Sequence, residues 1–107
     1  MQTFKVSFSD MAKGDLQEIV AYISRKDSST KAKYVERGIL SQVKKLTVFP
    51  DGYPKDPYID IDRQTVRFVV KWRYKILFIV DNIDALVQIV GIFHTSQNTG
   101  KLVHLID

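Results

Sequence analysis

The sequence predicts an α+β domain of order β-α-α-β-β-β, with a helix hairpin packed on one face of a mainly antiparallel sheet. Three observations carry that prediction. Residues 3–8 alternate apolar and polar. Residues 10–47 repeat apolar side chains at helical spacing, with one polar break at 26–30. From residue 65 the chain is rich in β-branched and aromatic residues and is punctuated by an Asp/Asn turn.

The first strand is set by Phe4, Val6 and Phe8 on one face and Lys5 and Ser7 on the other. Ser9 is placed to cap the following helix, with Asp10 in its first turn to suit the helix dipole. Ala12, Leu16, Ile19, Val20 and Ile23 make residues 10–26 an amphipathic helix, in which Gly14 is a weak point. Lys26–Thr30 breaks it and supplies a second cap. Ala32, Val35, Ile39, Val43 and Leu46 then mark a second amphipathic helix over 30–47, weakened by Gly38. The short link makes the two helices an antiparallel hairpin.

Phe49-Pro50 ends the second helix. Residues 51–62 carry Asp51, Asp56, Asp60 and Asp62 with Pro54 and Pro57, and read as an acidic loop rather than a central strand. The glycine and closing glutamate of a calcium loop are not at the positions that motif needs, so no metal site is expected.

Val66–Val80 then runs without Gly, Pro, Asn or Asp. As one strand it would span about 50 Å at ~3.3 Å per residue. A domain of this size has a radius of gyration of only about 13 Å. The chain must therefore turn inside the stretch, at its least apolar point, Lys71-Trp72-Arg73. This divides it into strands at about 65–70 and 74–81. Asp81–Asp84 is the next hairpin loop, and 85–94 the last strand. Its two faces, Val87, Ile89 and Phe93 against Leu86, Val90 and Ile92, are both apolar, which predicts a well-covered position. Gly91 marks a bulge or a close backbone approach. A polar loop follows, and Lys101–Asp107 is a short apolar tail suited to docking on the sheet edge.

The chain of 107 residues reads as one domain, 1–107, large enough for a core without staples. It has no cysteine, which excludes disulfides and thiolate metal sites. Neither a secretory signal nor a membrane span is visible, and a cytoplasmic protein without cofactor is expected. The net charge of +4 favours a polyanion or an acidic protein as partner.

Much of that charge is local. Arg63, Arg67, Lys71, Arg73 and Lys75 fall within thirteen residues, with Trp72 and Tyr74 among them and no acid between. Burying Val66, Phe68 and Val70 beneath the helices would leave Arg67 on the open face of the sheet. Cations interleaved with aromatics suit RNA, where guanidinium groups hold phosphates and rings stack on unpaired bases. Lys71, Arg73 and Tyr74 are therefore candidate RNA contacts. Lys44 and Lys45, at the end of the basic helix face, are two more. His94 closes the last strand and could transfer a proton. No Ser-His-Asp spacing, glycine-rich phosphate loop or HExxH motif is present.

Several segments also resemble a known family. Val6-Ser7-Phe8-Ser9, Ala12, Asp15-Leu16, Ile19 and Tyr22-Ile23 are similar to the first strand and helix of the RelE/ParE superfamily of bacterial type II toxins. Leu46-x2-Phe49-Pro50 resembles the end of its second helix. Arg67-Phe68-Val69-Val70 with Tyr74-Lys75-Ile76-Leu77-Phe78 resembles its central hairpin, and Val87-x-Ile89-x4-His94 its last strand. The resemblance implies neutralisation by an antitoxin whose segment wraps the toxin. It further implies a ribosome-dependent messenger-RNA endoribonuclease or, alternatively, a DNA gyrase inhibitor that acts by binding. A non-toxic antitoxin-binding relative is a third form. In the nuclease, Arg67 and Lys75 would stabilise the phosphorane charge and His94 would move the proton. Lysine at position 75 and the lack of Arg or Tyr after His94 depart from the nuclease pattern.

Overall fold

The structure is a computed structural model that describes residues 2–61 and 64–96. Strand β1 (Lys5–Phe8) is followed by helices α1 (Asp10–Lys26) and α2 (Ser29–Lys44). Short 3-10 turns at Lys45–Thr47 and Pro50–Gly52 lead into strands β2 (Lys55–Ile61), β3 (Gln64–Lys71), β4 (Tyr74–Asp81) and β5 (Leu86–His94). The five strands form one sheet in the order β1-β5-β4-β3-β2, antiparallel except where β1 runs parallel to β5. Among the described residues no helix is long and apolar enough to cross a membrane. The expected terminal tail and Arg63 lie outside the described residues.

The helices form where the apolar stripe and the caps agree. Ser9 Oγ accepts the Ala12 amide at 3.1 Å, and Ser28 Oγ accepts that of Lys31 at 3.0 Å. Ala12, Ile23, Ala32, Val35, Ile39, Val43 and Leu46 are buried against Ile76, Phe78, Val87, Ile89 and Ile92 of the sheet. That is the stripe expected from the spacing. A second cluster covers the other face of the sheet: Ile59, Val66, Leu77, Val90 and Phe93, with Phe68 and Ile79 packed against it.

Three sequence expectations need correcting. Lys55–Ile61, expected as loop, is an edge strand paired with β3. Its pairing shifts between Lys55 and Asp60, which absorbs Pro57 at an edge where a missing amide is tolerated. The loop character survives locally: Asp56 Oδ1 accepts the amides of Tyr58 and Ile59 at 2.8 and 3.0 Å. The second correction concerns β5. Leu77 pairs with Gly91 and Phe78 with Ile89, so Val90 is an extra residue in the ladder. The bulge changes the alternation, and Ile92 joins the helix side while Phe93 joins Val90 on the other. The third concerns the faces of β3: Val69 lies on the helix side, whereas Val66 and Phe68 lie on the other.

The turn expected between β3 and β4 is at Trp72-Arg73, and Trp72 holds φ of 54°. A left-handed tryptophan costs roughly 1–2 kcal/mol. The tertiary contact offsets it: the indole stacks on Tyr34 of α2 with centroids 5.4 Å apart, and Lys71 Nζ sits 4.6 Å from its ring centroid. Gly38 makes room for it, since a Cβ there would lie 2.0 Å from the indole. Gly38→Ala should therefore displace the tip of this hairpin. The clash opposes the ~1 kcal/mol helix gain of alanine and should leave a net loss of about 1–2 kcal/mol. Urea unfolding followed by the emission of Trp72, the chain's one tryptophan, measures both effects. Unchanged stability and emission would contradict the docking.

Candidate functional site

Face alternation across the β3–β4 hairpin sorts the candidate residues. Arg67 opposes Phe78, Val69 opposes Ile76 and Lys71 opposes Tyr74. These are helix-side pairs, because Val69, Tyr74, Ile76 and Phe78 all belong to the core beneath the helices. Val66, Phe68 and Val70 oppose Ile79, Leu77 and Lys75 on the far side. The expected orientation of β3 is therefore reversed. Both faces are apolar enough to be buried, and the helix layer takes the one that pairs Val69 with Ile76 and seats Arg67 over Phe78.

Arg67 is thus held inside the fold rather than on an open surface. Its Nη1 donates to the Tyr53 carbonyl at 2.7 Å, and Nε lies 3.6 Å from Asp51 Oδ1. Tyr53 in turn meets Phe78 edge-on at 5.8 Å. Arg67 ties the segment after α2 to the sheet.

Lys75 is on the opposite face. Its Nζ contacts Asp56 Oδ2 at 2.5 Å, and lies 4.4 Å from the Phe68 ring centroid. The Asp56 side chain is fully buried and that of Lys75 is 17% exposed. The contact is an ion pair and not an aligned hydrogen bond; Oδ2 has no hydrogen-bond partner. The pair reaches from β2 beneath β3 to β4, so it fixes the edge strand. Arg67 and Lys75 cannot hold the same phosphate.

His94 is on the helix side, opposite Tyr74, and the two rings meet edge-on at 5.6 Å. Its Nδ1 accepts the Ser96 amide at 3.1 Å and lies 2.6 Å from Ser96 Oγ. Arg67 sits about 13 Å along the strands from His94, four residues at ~3.3 Å each. The three residues expected to be catalytic do not converge.

A different group does. Tyr22 and Lys26 of α1, Lys31 and Tyr34 of α2, and Trp72–Tyr74 with His94 border one cleft of about 450 Å³. The cleft adjoins a second hollow lined by Asp15, Glu18, Tyr22, Tyr74, His94 and Ser96. Of the expected RNA contacts, Arg73 and Tyr74 are in the cleft, and Lys71 lies on the indole beside it. Lys44 and Lys45 are exposed at the far end of α2, away from it. Tyr34, Lys26 and Lys31 were not singled out by the sequence, and Tyr22 entered only through the family resemblance and not as a contact. The available signal was two tyrosines standing off the buried stripes of their helices. Among the described residues no group of three His, Cys, Asp or Glu could hold a metal.

Asp15 lines the second hollow. Its Oδ2 accepts the Ile92 amide at 3.1 Å, tying α1 to β5 just after the bulge. Burial pushes its carboxyl above the usual aspartate range; the Ile92 amide opposes the shift and Glu18 adds to it.

Two outcomes follow from these contacts. Lys75→Ala leaves a buried carboxylate alone and should cost about 3 kcal/mol of unfolding free energy. Lys75→Met with Asp56→Asn should recover most of that, because the amide oxygen still accepts the β2 amides. Recovery in urea unfolding separates a structural pair from mere side-chain volume. For Asp15, the folded form holds its proton to higher pH than the unfolded form. Stability therefore falls as pH rises from the unfolded value of about 3.9 through the raised folded one. Asp15→Asn keeps the acceptor and removes the charge. It should match the parent below that window and exceed it at neutral pH, in urea midpoints taken across pH.

The comparisons agree with this architecture. A chromosomal ParDE toxin–antitoxin system from P. aeruginosa contains a chain that is similar with a TM-score of 0.71 and 21% identity, covering 88% of this chain and 98% of that one. A chain of the RelBE2 toxin–antitoxin complex from Mycobacterium tuberculosis gives a TM-score of 0.66 at 15% identity, covering 91% of this chain and 97% of that one. Both likenesses concern the fold. No curated protein sequence matches the chain. The family described as the ParE toxin of the type II toxin–antitoxin system parDE matches residues 6–99. That match spans most of the sequence, and by it the chain belongs to the ParE toxins of type II toxin–antitoxin systems.

Proposed function

We propose that this chain is a growth-arresting toxin that inhibits DNA gyrase by binding, without bond chemistry, and that an antitoxin protein neutralises it. The observation that carries the reading is the division of Arg67 and Lys75 between opposite faces, each already engaged by an acidic side chain. Stabilising a phosphorane needs donors aimed at one developing charge. These two side chains serve the fold instead. The family assignment supports the same reading, since gyrase inhibition is the activity that the resemblance implies for its non-catalytic branch. An antitoxin partner is supported by the two similar structures, both from toxin–antitoxin systems.

One observation favours the endoribonuclease reading. His94 and Arg73 border the same cleft, so a nuclease on the ribosome would have to use that pair in place of Arg67 and Lys75. Two assays on the purified chain decide. Gyrase supercoiling should be inhibited, and messenger RNA in a purified translation extract should stay intact. Cleavage of message that is lost in His94→Ala, with supercoiling unaffected, would overturn the proposal.

A further inference from the structure

We propose that the cleft between the helix hairpin and the tip of the β3–β4 hairpin is a site for one unpaired nucleotide. Its base adds to the Tyr34–Trp72 stack, and its phosphate is met by Lys26 and Arg73. The observation behind this is an exposed aromatic stack that the fold holds in place. Tyr34 is 66% exposed, Tyr22 56% and Trp72 46%, and all three border the same hollow. Large rings are normally spent on the core, and scattered exposure needs no explanation. Here three are gathered, and two of them are already parallel within 27°. Trp72 is fixed by its turn, by the Gly38 backbone and by Lys71, so the stack needs little ordering to receive a third ring. Base stacking on such a platform is tolerant of sequence because every base has a π-face.

The charges suit a phosphate. Lys26 ends α1, Lys31 begins α2 and Arg73 is on the turn, so all three stand at the border of the cleft. Asp27 is the one acid among its lining residues, and it is bonded to Lys31 at 3.0 Å. No described ion pair involves Lys26 or Arg73. The volume of about 450 Å³ lies within the roughly 300–1,000 Å³ of small-ligand sites. An acidic peptide would use these cations but would leave the ring stack without a role, which is why a nucleotide fits better. Free nucleotide, single-stranded DNA and single-stranded RNA share this chemistry.

The site does not depend on gyrase as target, and the test uses the chain alone. Trp72 is the only tryptophan, so its emission reports on the cleft directly. The intact protein is titrated at low salt with AMP, an eight-residue oligodeoxythymidine, the corresponding oligouridine and polyglutamate. Saturable quenching by a nucleotide probe is expected, and the tightest probe identifies the source. Variants are compared by anisotropy of the labelled oligonucleotide. Tyr34→Ala should weaken binding about tenfold or more, the usual loss for one stacking ring. Tyr34→Phe should retain it, and Arg73→Ala should weaken it and flatten its salt dependence. Quenching by none of the nucleotides, equal displacement by polyglutamate, or unchanged binding in Tyr34→Ala would each overturn the proposal. If the oligouridine is bound and cut, the site stands and the gyrase reading falls.

Discussion

Pairing Arg67 with Phe78 across the β3–β4 ladder puts both side chains on the helix side, because directly opposed residues leave a sheet on the same face. That register determines the remaining positions. It sends Lys75 to the far side, where Asp56 waits, and sets Tyr74 beside His94 under the helix ends. A one-residue slip would exchange the two sets and put a charged pair into the helix core. Because both faces are apolar, the cost of such a slip lies in the charge: it would take Lys75 away from the buried Asp56 carboxylate. The two cations nearest the middle of the sheet are thereby committed to holding the fold together.

Much of this was legible in the sequence. Both helices could be placed because their apolar stripes are regular and a serine stands at each start. The central hairpin could be placed because a single strand of that length has no room in so small a domain. The turn itself was silent, since Trp72 adopts its left-handed conformation through packing on Tyr34 and Gly38 and not through a local preference. Strand β2 was hidden for a related reason. Its proline and aspartates look like loop, and Asp56 makes them a strand by satisfying the amides of Tyr58 and Ile59 and pairing with Lys75 two strands away. The faces of β3 were misassigned because Val66, Phe68 and Val70 are a better apolar set than Val69 with the stem of an arginine, and nothing local shows that the far side is buried as well.

The site follows the same division. Arg73, Tyr74 and His94 could be found because charge, ring and histidine stand out along a strand. Tyr22 and Tyr34 could not, because on a helix wheel they belong to polar faces that water usually covers. The sheet supplies one wall of the cleft and the helix hairpin the other, and only their packing brings the walls together.

The parallel pairing of β1 with β5 has a consequence for how the chain comes into being. Lys5 lies against Leu86 and Phe8 against Ile89, so β1 takes its place in the sheet only against β5, some eighty residues later. Helices α1 and α2 can form as they emerge, whereas this edge of the sheet must wait until nearly the whole domain is available. Contacts between such distant parts of a chain are slow to close. During translation the sheet therefore cannot be completed early: the nascent chain keeps an open β edge and an unfinished core until β5 is free of the ribosome. A message truncated before β5 would encode two helices and four strands with no seat for the first.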